Sequence, residues 1–155
     1  MIWASALSTR QDTDVALAEI EQSIWKQLDG RRPDLVCAFV SSHHGKNYPY
    51  IAEQCNELFR PSASVGCSGA GLVGGGDERE SGPGIALCVA HLPDVSISPF
   101  HICQEQCPSA DAGPDAWAQL VGADRSLPTH FVLMANLAGL DFAYPGCTQV
   151  GGLAS

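Results

Sequence analysis

Positive charge is scarce in this chain. Only 8 of its 155 residues are Lys or Arg, against 17 that are Asp or Glu, which gives a formal net charge of −9. The sequence contains no Lys- or Arg-rich patch. Nucleic acids and anionic membrane surfaces are bound mainly through such patches. The composition therefore argues against a nucleic-acid partner.

Long apolar runs are also missing. No stretch approaches the roughly 20 apolar residues that a helix needs to span a bilayer. The first residues show no basic segment followed by an apolar one, so they do not read as a signal peptide. We expect a cytoplasmic chain that does not insert into membranes.

The chain has an odd number of cysteines, seven in all. A disulfide scaffold normally shows an even count in a short, loop-rich chain. Most of these cysteines lie within apolar runs instead, which favours a reducing compartment. We interpret three of them as small buried apolar residues: Cys37, Cys55 and Cys88.

Nucleotide-binding motifs are missing as well. No Gly-Lys-Ser/Thr follows the glycines of 71–76, and no G-x-G-x-x-G opens a helix after the first apolar segment. His101, Cys103 and Cys107 are of metal-ligating types, but their spacing is not that of a zinc site. We predict no metal site.

What is present is enough apolar material for one core, with 45% hydrophobic residues. Apolar runs alternate with amphipathic segments, which indicates an α/β fold. We expect one domain over 1–155, with a mixed, largely parallel central sheet and flanking helices. The strands are predicted at 2–7, 35–40, 63–65, 85–90, 95–98 and 131–134, and the helices at about 13–28, 49–60 and 114–121.

The clearest unit is a βαβ segment at about 34–67. Residues 35–40 form a continuous apolar run, which is typical of a strand buried on both faces. An amphipathic helix with Pro49 in its first turn follows, and Pro61 ends it. The next strand runs into a glycine turn, so we expect two parallel strands.

Glycine turns and polar residues follow several of the predicted strands. The ends of parallel strands share one edge of a sheet, where ligands of α/β proteins bind. Backbone N–H groups there would hold a carboxylate, and Glu78 or Glu80 in the glycine-rich loop 71–84 would hold an amine. Replacing Gly66 with Val is expected to abolish binding with little effect on the core. The predicted rim consists of Ser41, Ser42, His43, His44, Gly66, Cys67, Ser68 and Gly69, joined by Gly151 and Gly152.

Two other interpretations of these residues stay open. In the first, Cys67 is a nucleophile and His43 or His44 is its base, as in acyl-transfer or hydrolase enzymes. In the second, Cys67 is only a small residue in a tight turn, and the two histidines are ordinary residues of an exposed loop.

The order of several short motifs resembles a known family. Taken together they are similar to the N-terminal half of a FIST domain (F-box and intracellular signal transduction). The resemblance spans nearly the whole chain. It rests on Trp3–Ser8, Val65–Gly71, Gly75–Glu80, Leu92–Val95 with Pro99-Phe100, Tyr144–Gly146 and Val150–Ser155.

This resemblance implies an intracellular sensory module without chemistry of its own. Its ligand would be an amino acid or related small carboxylate, and its partners a C-terminal FIST half and a signalling output domain or protein. Some members are linked to haem, so a haem-based gas sensor is an alternative, with His43 as a guess for the axial ligand. The chain departs from the family by stopping at Ser155, which suggests an excerpt, and by a short segment between Met134 and Leu140.

Overall fold

The computed structural model of the protein describes residues 1–109, 112–134 and 143–152. The chain divides into two compact units, Met1–Ile97 and Ser98–Ser155. Among the described residues, no helix combines the length and the apolar character needed to cross a bilayer. The single domain over 1–155 stays a prediction.

The first unit contains a four-stranded sheet, two helices and a small hairpin. Most of its elements agree with the sequence-based expectation to within a few residues. Along the chain they are β1 (Ile2–Ser8), α1 (Thr13–Leu28), β2 (Leu35–Val40), a 3₁₀ helix (Ser42–Asn47), α2 (Tyr48–Phe59), β3 (Ala63–Ser68), β4 (Leu72–Gly74), β5 (Asp77–Arg79) and β6 (Ile85–His91).

The central sheet is mixed, but it is not largely parallel. Its strand order is β1-β6-β2-β3. As predicted, β2 and β3 are parallel, whereas β6 lies antiparallel between β1 and β2. The apolar sequence of β6 misled the prediction because a central strand buried on both faces is apolar whichever way it runs.

Both helices pack against one face of this sheet. Asp12 caps α1 by accepting a hydrogen bond from the Val15 N–H at 3.0 Å, which satisfies one free donor of the first turn. Trp25 of α1 and Phe59 of α2 contact each other, with ring centroids 5.7 Å apart. The buried core includes Leu17, Ile20, Ile24, Leu28, Val36, Val40, Ile51, Cys55, Phe59, Ile85, Leu87 and Val89.

The predicted glycine-rich loop 71–84 contains a hairpin, β4–β5. Its two turn residues, Gly75 and Gly76, have φ of 62° and 92°. Two successive positive φ angles are those of a type I′ turn, which matches the twist of paired strands. The turn rests on β1, where the Gly75 N–H donates to Ser5 Oγ at 3.0 Å.

The first predicted glycine turn is in fact part of β3. This strand continues through Gly66 and Cys67 to Ser68, in register with Ala38, Phe39 and Val40 of β2. The chain leaves the sheet only at Gly69. Glycine in an edge strand accommodates close approach of the neighbouring backbone, so its presence did not mark the end of the strand.

The second unit has its own small core. It contains a short 3₁₀ turn (Gln104–Gln106), α3 (Pro114–Val121), β7 (His130–Met134) and β8 (Thr148–Gly152), and β7 pairs with β8 in parallel. Its buried residues are Trp117, Val121, Phe131, Ala143 and Tyr144. The predicted strand at 95–98 is not formed, and the short segment between Met134 and Leu140 lies outside the described residues.

Candidate functional site

Three strands of the first unit end at one edge of the sheet. Strands β1 and β2 both run antiparallel to β6, and β3 runs parallel to β2. Ser8, Ser41 and Gly69 therefore lie at or just beyond the carboxyl ends of β1, β2 and β3, at the edge where β6 begins after Gly84. We call this the carboxyl edge.

Ser41 closes the carboxyl edge rather than opening it to a ligand. Its N–H donates to the Gly84 carbonyl at 2.9 Å, and its Oγ accepts from the Gly84 N–H at 2.9 Å. The Gly69 N–H likewise donates to the Val40 carbonyl at 3.0 Å. Two of the N–H groups expected to bind a carboxylate are therefore bonded within the protein.

His44 is buried beside the first turn of α1. Its side chain is only 2% exposed, and its Nδ1 lies 3.0 Å from Thr13 Oγ1. Asn47 Nδ2 donates to the same oxygen at 2.7 Å, while among the described residues no group meets hydrogen-bond geometry with His44 Nε2. The pKa of His44 is lowered, mainly because burial disfavours the charged imidazolium. A backbone hydrogen bond with Arg10 raises the pKa in part, and the charge of the neighbouring His43 lowers it further.

The loop that joins β1 to α1 is held by a second polar cluster at the same edge. Ser8 Oγ donates to Glu19 Oε2 at 2.7 Å, and Arg10 Nε donates to Glu19 Oε1 at 2.7 Å. The hydrogen bond from Ser8 has the largest effect in lowering the pKa of Glu19, and the bond from Arg10 lowers it further. No pattern in the sequence indicates this cluster, because its members are common polar residues that only the packing of α1 brings together.

Three of the predicted rim residues have exposed side chains. Ser42 and His43 in the 3₁₀ helix are exposed, and so is Ser68 at the end of β3. Val40 is the register partner of Ser68, and Ser42 follows Val40 by two residues. Of the predicted rim residues, these three offer side-chain donors to solvent at the ends of two adjacent strands.

Cys67 is not brought together with His44. It is in register with Phe39, which places it on the sheet face away from α1, whereas His44 lies against α1. Burial raises the pKa of Cys67, the opposite of what an activated thiolate requires. The Cys67 thiol and the His44 imidazole therefore do not form a nucleophile and its base. Within the described ranges, no three His, Cys, Asp or Glu side chains cluster as metal ligands.

The acidic residues predicted to hold an amine lie on or next to the β4–β5 hairpin. Glu78 belongs to β5, opposite Val73, and both Glu78 and Glu80 are exposed. The turn of their hairpin rests on β1, which β6 separates from β2. The open end of the hairpin, where Leu72 pairs with Arg79, lies nearer the carboxyl edge, since a Cβ placed on Gly84 would be 2.7 Å from Leu72 Cδ1. The role of Glu78 and Glu80 in holding an amine stays a prediction.

A family model described as the FIST N domain matches residues 34–155. The chain belongs to the FIST family. Two uncharacterized proteins of Mycobacterium tuberculosis, from strains CDC 1551 / Oshkosh and ATCC 25618 / H37Rv, are similar to it. Each is 27% identical over 158 residues, which covers 96% of this chain and 39% of the relative, so the chain spans about two fifths of their length. No solved structure matches.

Gly66 of this FIST chain has a structural role that the sequence did not suggest. A Cβ placed on it would lie 2.7 Å from the Ala38 carbonyl oxygen and 3.2 Å from Ala38 Cβ. The expectation that Gly66→Val leaves the core almost unchanged is therefore wrong, since the added side chain would push β3 away from β2.

Gly151 and Gly152, the last predicted rim residues, lie in β8 of the second unit. They pair with Leu133 and Met134 of β7. Gly151 has φ of 146°, and a Cβ there would clash with the Leu133 carbonyl. Their place at the rim of the first unit stays a prediction.

Haem is the cofactor that the FIST resemblance leaves as an alternative. An axial histidine must present a ring nitrogen to a slot that accepts the macrocycle. The Nε2 atom of His44 is buried within the protein, and His43 is an exposed residue of a polar 3₁₀ helix. Neither environment fits a haem.

Proposed function

We propose that this FIST chain is an intracellular sensory domain that binds a small ligand at the carboxyl edge. The ligand is an amino acid or a related small carboxylate, and binding needs no covalent chemistry. FIST membership supports the sensory class. The observation that carries the site is the exposure of Ser42, His43 and Ser68 at the ends of the adjacent strands β2 and β3.

The chemistry of these groups suits a carboxylate. Serine hydroxyls donate hydrogen bonds, and an imidazole donates through one or both ring nitrogens. Hydrogen bonds to an ionised carboxylate are about twice as strong as those between neutral groups. The arrangement supports the carboxylate end of the ligand.

Binding reaches the rest of the unit through Ser41. Its two hydrogen bonds with Gly84 join the 3₁₀ helix to the segment that carries the β4–β5 hairpin. A ligand that binds better to one arrangement of this segment shifts the population toward it. A C-terminal FIST half and a signalling output domain or protein are the partners we propose to read that shift.

The test uses thermal unfolding of the full chain with a panel of the common amino acids, acetate, succinate and citrate. A compound that binds only the folded state raises the Tm as its concentration exceeds its Kd. We expect a dose-dependent rise for a carboxylate, and an affinity about tenfold lower in His43→Ala and Ser68→Ala, as for loss of about 1.4 kcal/mol.

The matched control is Ser64→Ala. Ser64 is exposed on the same strand and the same face as Ser68, four residues away from it, and it contacts Asn56 instead. Its variant should bind like the wild type. Equal affinity in all three variants, or no Tm change with any compound, would contradict the proposed site.

A further inference from the structure

Two cysteines face each other across the centre of the first unit's sheet. Cys37 of β2 and Cys88 of β6 are direct register partners in an antiparallel pair. Residues opposed in this way point to the same face and have Cα atoms about 4.5–5.5 Å apart. A disulfide spans Cα distances of about 4.4–6.8 Å, so the backbone already has the required spacing.

The surroundings of this pair keep both groups as thiols at rest. They lie on the sheet face away from α1 and α2, flanked in the same row by Ser5 and Val65. Burial, with a smaller effect of the neighbouring Cys88, raises the pKa of Cys37 to about 11, and burial also raises that of Cys88. Cys88 is the more exposed of the two, since it is half-buried while Cys37 is 5% exposed.

We propose that Cys37 and Cys88 form a reversible disulfide that cross-links the two central strands in response to a low-molecular-weight disulfide such as oxidised glutathione. The deprotonated Cys88 sulfur attacks one sulfur of the oxidant, which forms a mixed disulfide and releases one glutathione thiolate. The deprotonated Cys37 sulfur then attacks the Cys88 sulfur and releases the second. The protein loses two protons and two electrons, and one oxidised glutathione becomes two thiols.

The other cysteines of the first unit do not share this geometry. Cys55 belongs to α2 and is buried in the core on the opposite face of the sheet. Cys67 lies on the same face, but its register partner is Phe39, so it is diagonal to Cys37. In the second unit, the sulfur of Cys107 lies 3.9 Å from the Cys103 carbonyl, so these two cysteines are a competing pair that the experiment must remove.

The experiment oxidises the folded chain in a Cys103→Ser/Cys107→Ser background with excess oxidised glutathione at about pH 8.5, where exchange is faster. Free thiols are then blocked, and the chain is digested with trypsin without reduction. Cys37 is the one cysteine of peptide 32–46, and Cys88 is then the one cysteine of peptide 80–125. We expect these peptides joined, and separated again after treatment with excess reduced glutathione.

The controls separate this pairing from its competitors. The joined peptides should disappear in Cys88→Ser and Cys37→Ser, and persist in Cys55→Ser. A link from 32–46 to peptide 47–79 would show pairing with Cys55 or Cys67 instead. That result would overturn the proposal. So would a folded chain in which Cys88 carries glutathione while Cys37 stays a free thiol, or one in which neither cysteine reacts.

Discussion

His43 and His44 show how adjacent residues of one type acquire different roles. A 3₁₀ helix has three residues per turn, so consecutive side chains point about 120° apart. His44 turns inward to Thr13, and His43 stays exposed. The sequence predicted the pair at the end of β2 but could not separate them, because Thr13 is 31 residues away and only α1 brings it there.

His44 makes the stability of the fold depend on pH. Burial lowers its pKa in the folded state below the usual 6.5, so the unfolded chain binds a proton more readily. The contribution is present above pH 6.5 and is lost as the pH falls through and below that value. Urea unfolding at pH 7.5 and 5.5 should show a smaller fall in the free energy of unfolding for His44→Gln than for the wild type.

His43→Gln is the matched control for this measurement, since it changes the neighbouring residue. It should keep the wild-type fall in stability. The same fall in His44→Gln would mean that other groups carry the pH dependence.

Gly66 fixes the spacing between β2 and β3. Because a Cβ there would lie 2.7 Å from the Ala38 carbonyl oxygen, Gly66→Val should lower the free energy of unfolding by about 1–3 kcal/mol, the usual cost of overpacking. Chemical denaturation measures it. Ser68→Val, on the same face two residues further on, has an exposed side chain and should cost less than half as much; equal costs would contradict the close-approach explanation.

Among the elements, helices were the most predictable. Asp12, the apolar stripes and the prolines are local signals, so α1, α2 and α3 appear where they were expected. Strand direction was harder, because it depends on which edge the chain reaches next. The β4–β5 hairpin turns the chain back so that β6 enters antiparallel, and no short pattern in β6 itself encodes that.

The type I′ turn of this hairpin gives a prediction at the element scale. Gly75 has φ of 62°, which asparagine tolerates and a β-branched residue does not. Gly75→Asn should therefore keep the hairpin, while Gly75→Val should open it. Limited digestion with trypsin at Arg79 in β5 reports the difference.

We expect faster cleavage after Arg79 in Gly75→Val and wild-type cleavage in Gly75→Asn. Cleavage after Arg10, Lys26, Arg31 and Lys46 serves as the internal reference in the same digest. Equal rates at Arg79 in both variants would contradict the assignment of the turn.

At the scale of the whole molecule, family and site were predictable to different depths. The order of short motifs across the chain indicated a FIST domain, which the family model confirms over 34–155. The site prediction located strand ends, but it could not tell exposed groups from bonded ones. The sequence predicts Ser41 and Gly69 as donors to a ligand, whereas their N–H groups donate to the Gly84 and Val40 carbonyls.

The central claim is that a small carboxylate binds the carboxyl edge of β2 and β3. The most direct measurement is an NMR titration of the isotope-labelled full chain with the panel of amino acids and small carboxylates. We predict saturable shifts of the amide signals of Ser42, His43, Ser68 and Gly69, with Ser64 and the outer face of α2 unchanged. Saturable shifts confined to other residues, or no saturable shift at millimolar concentrations, would contradict the account.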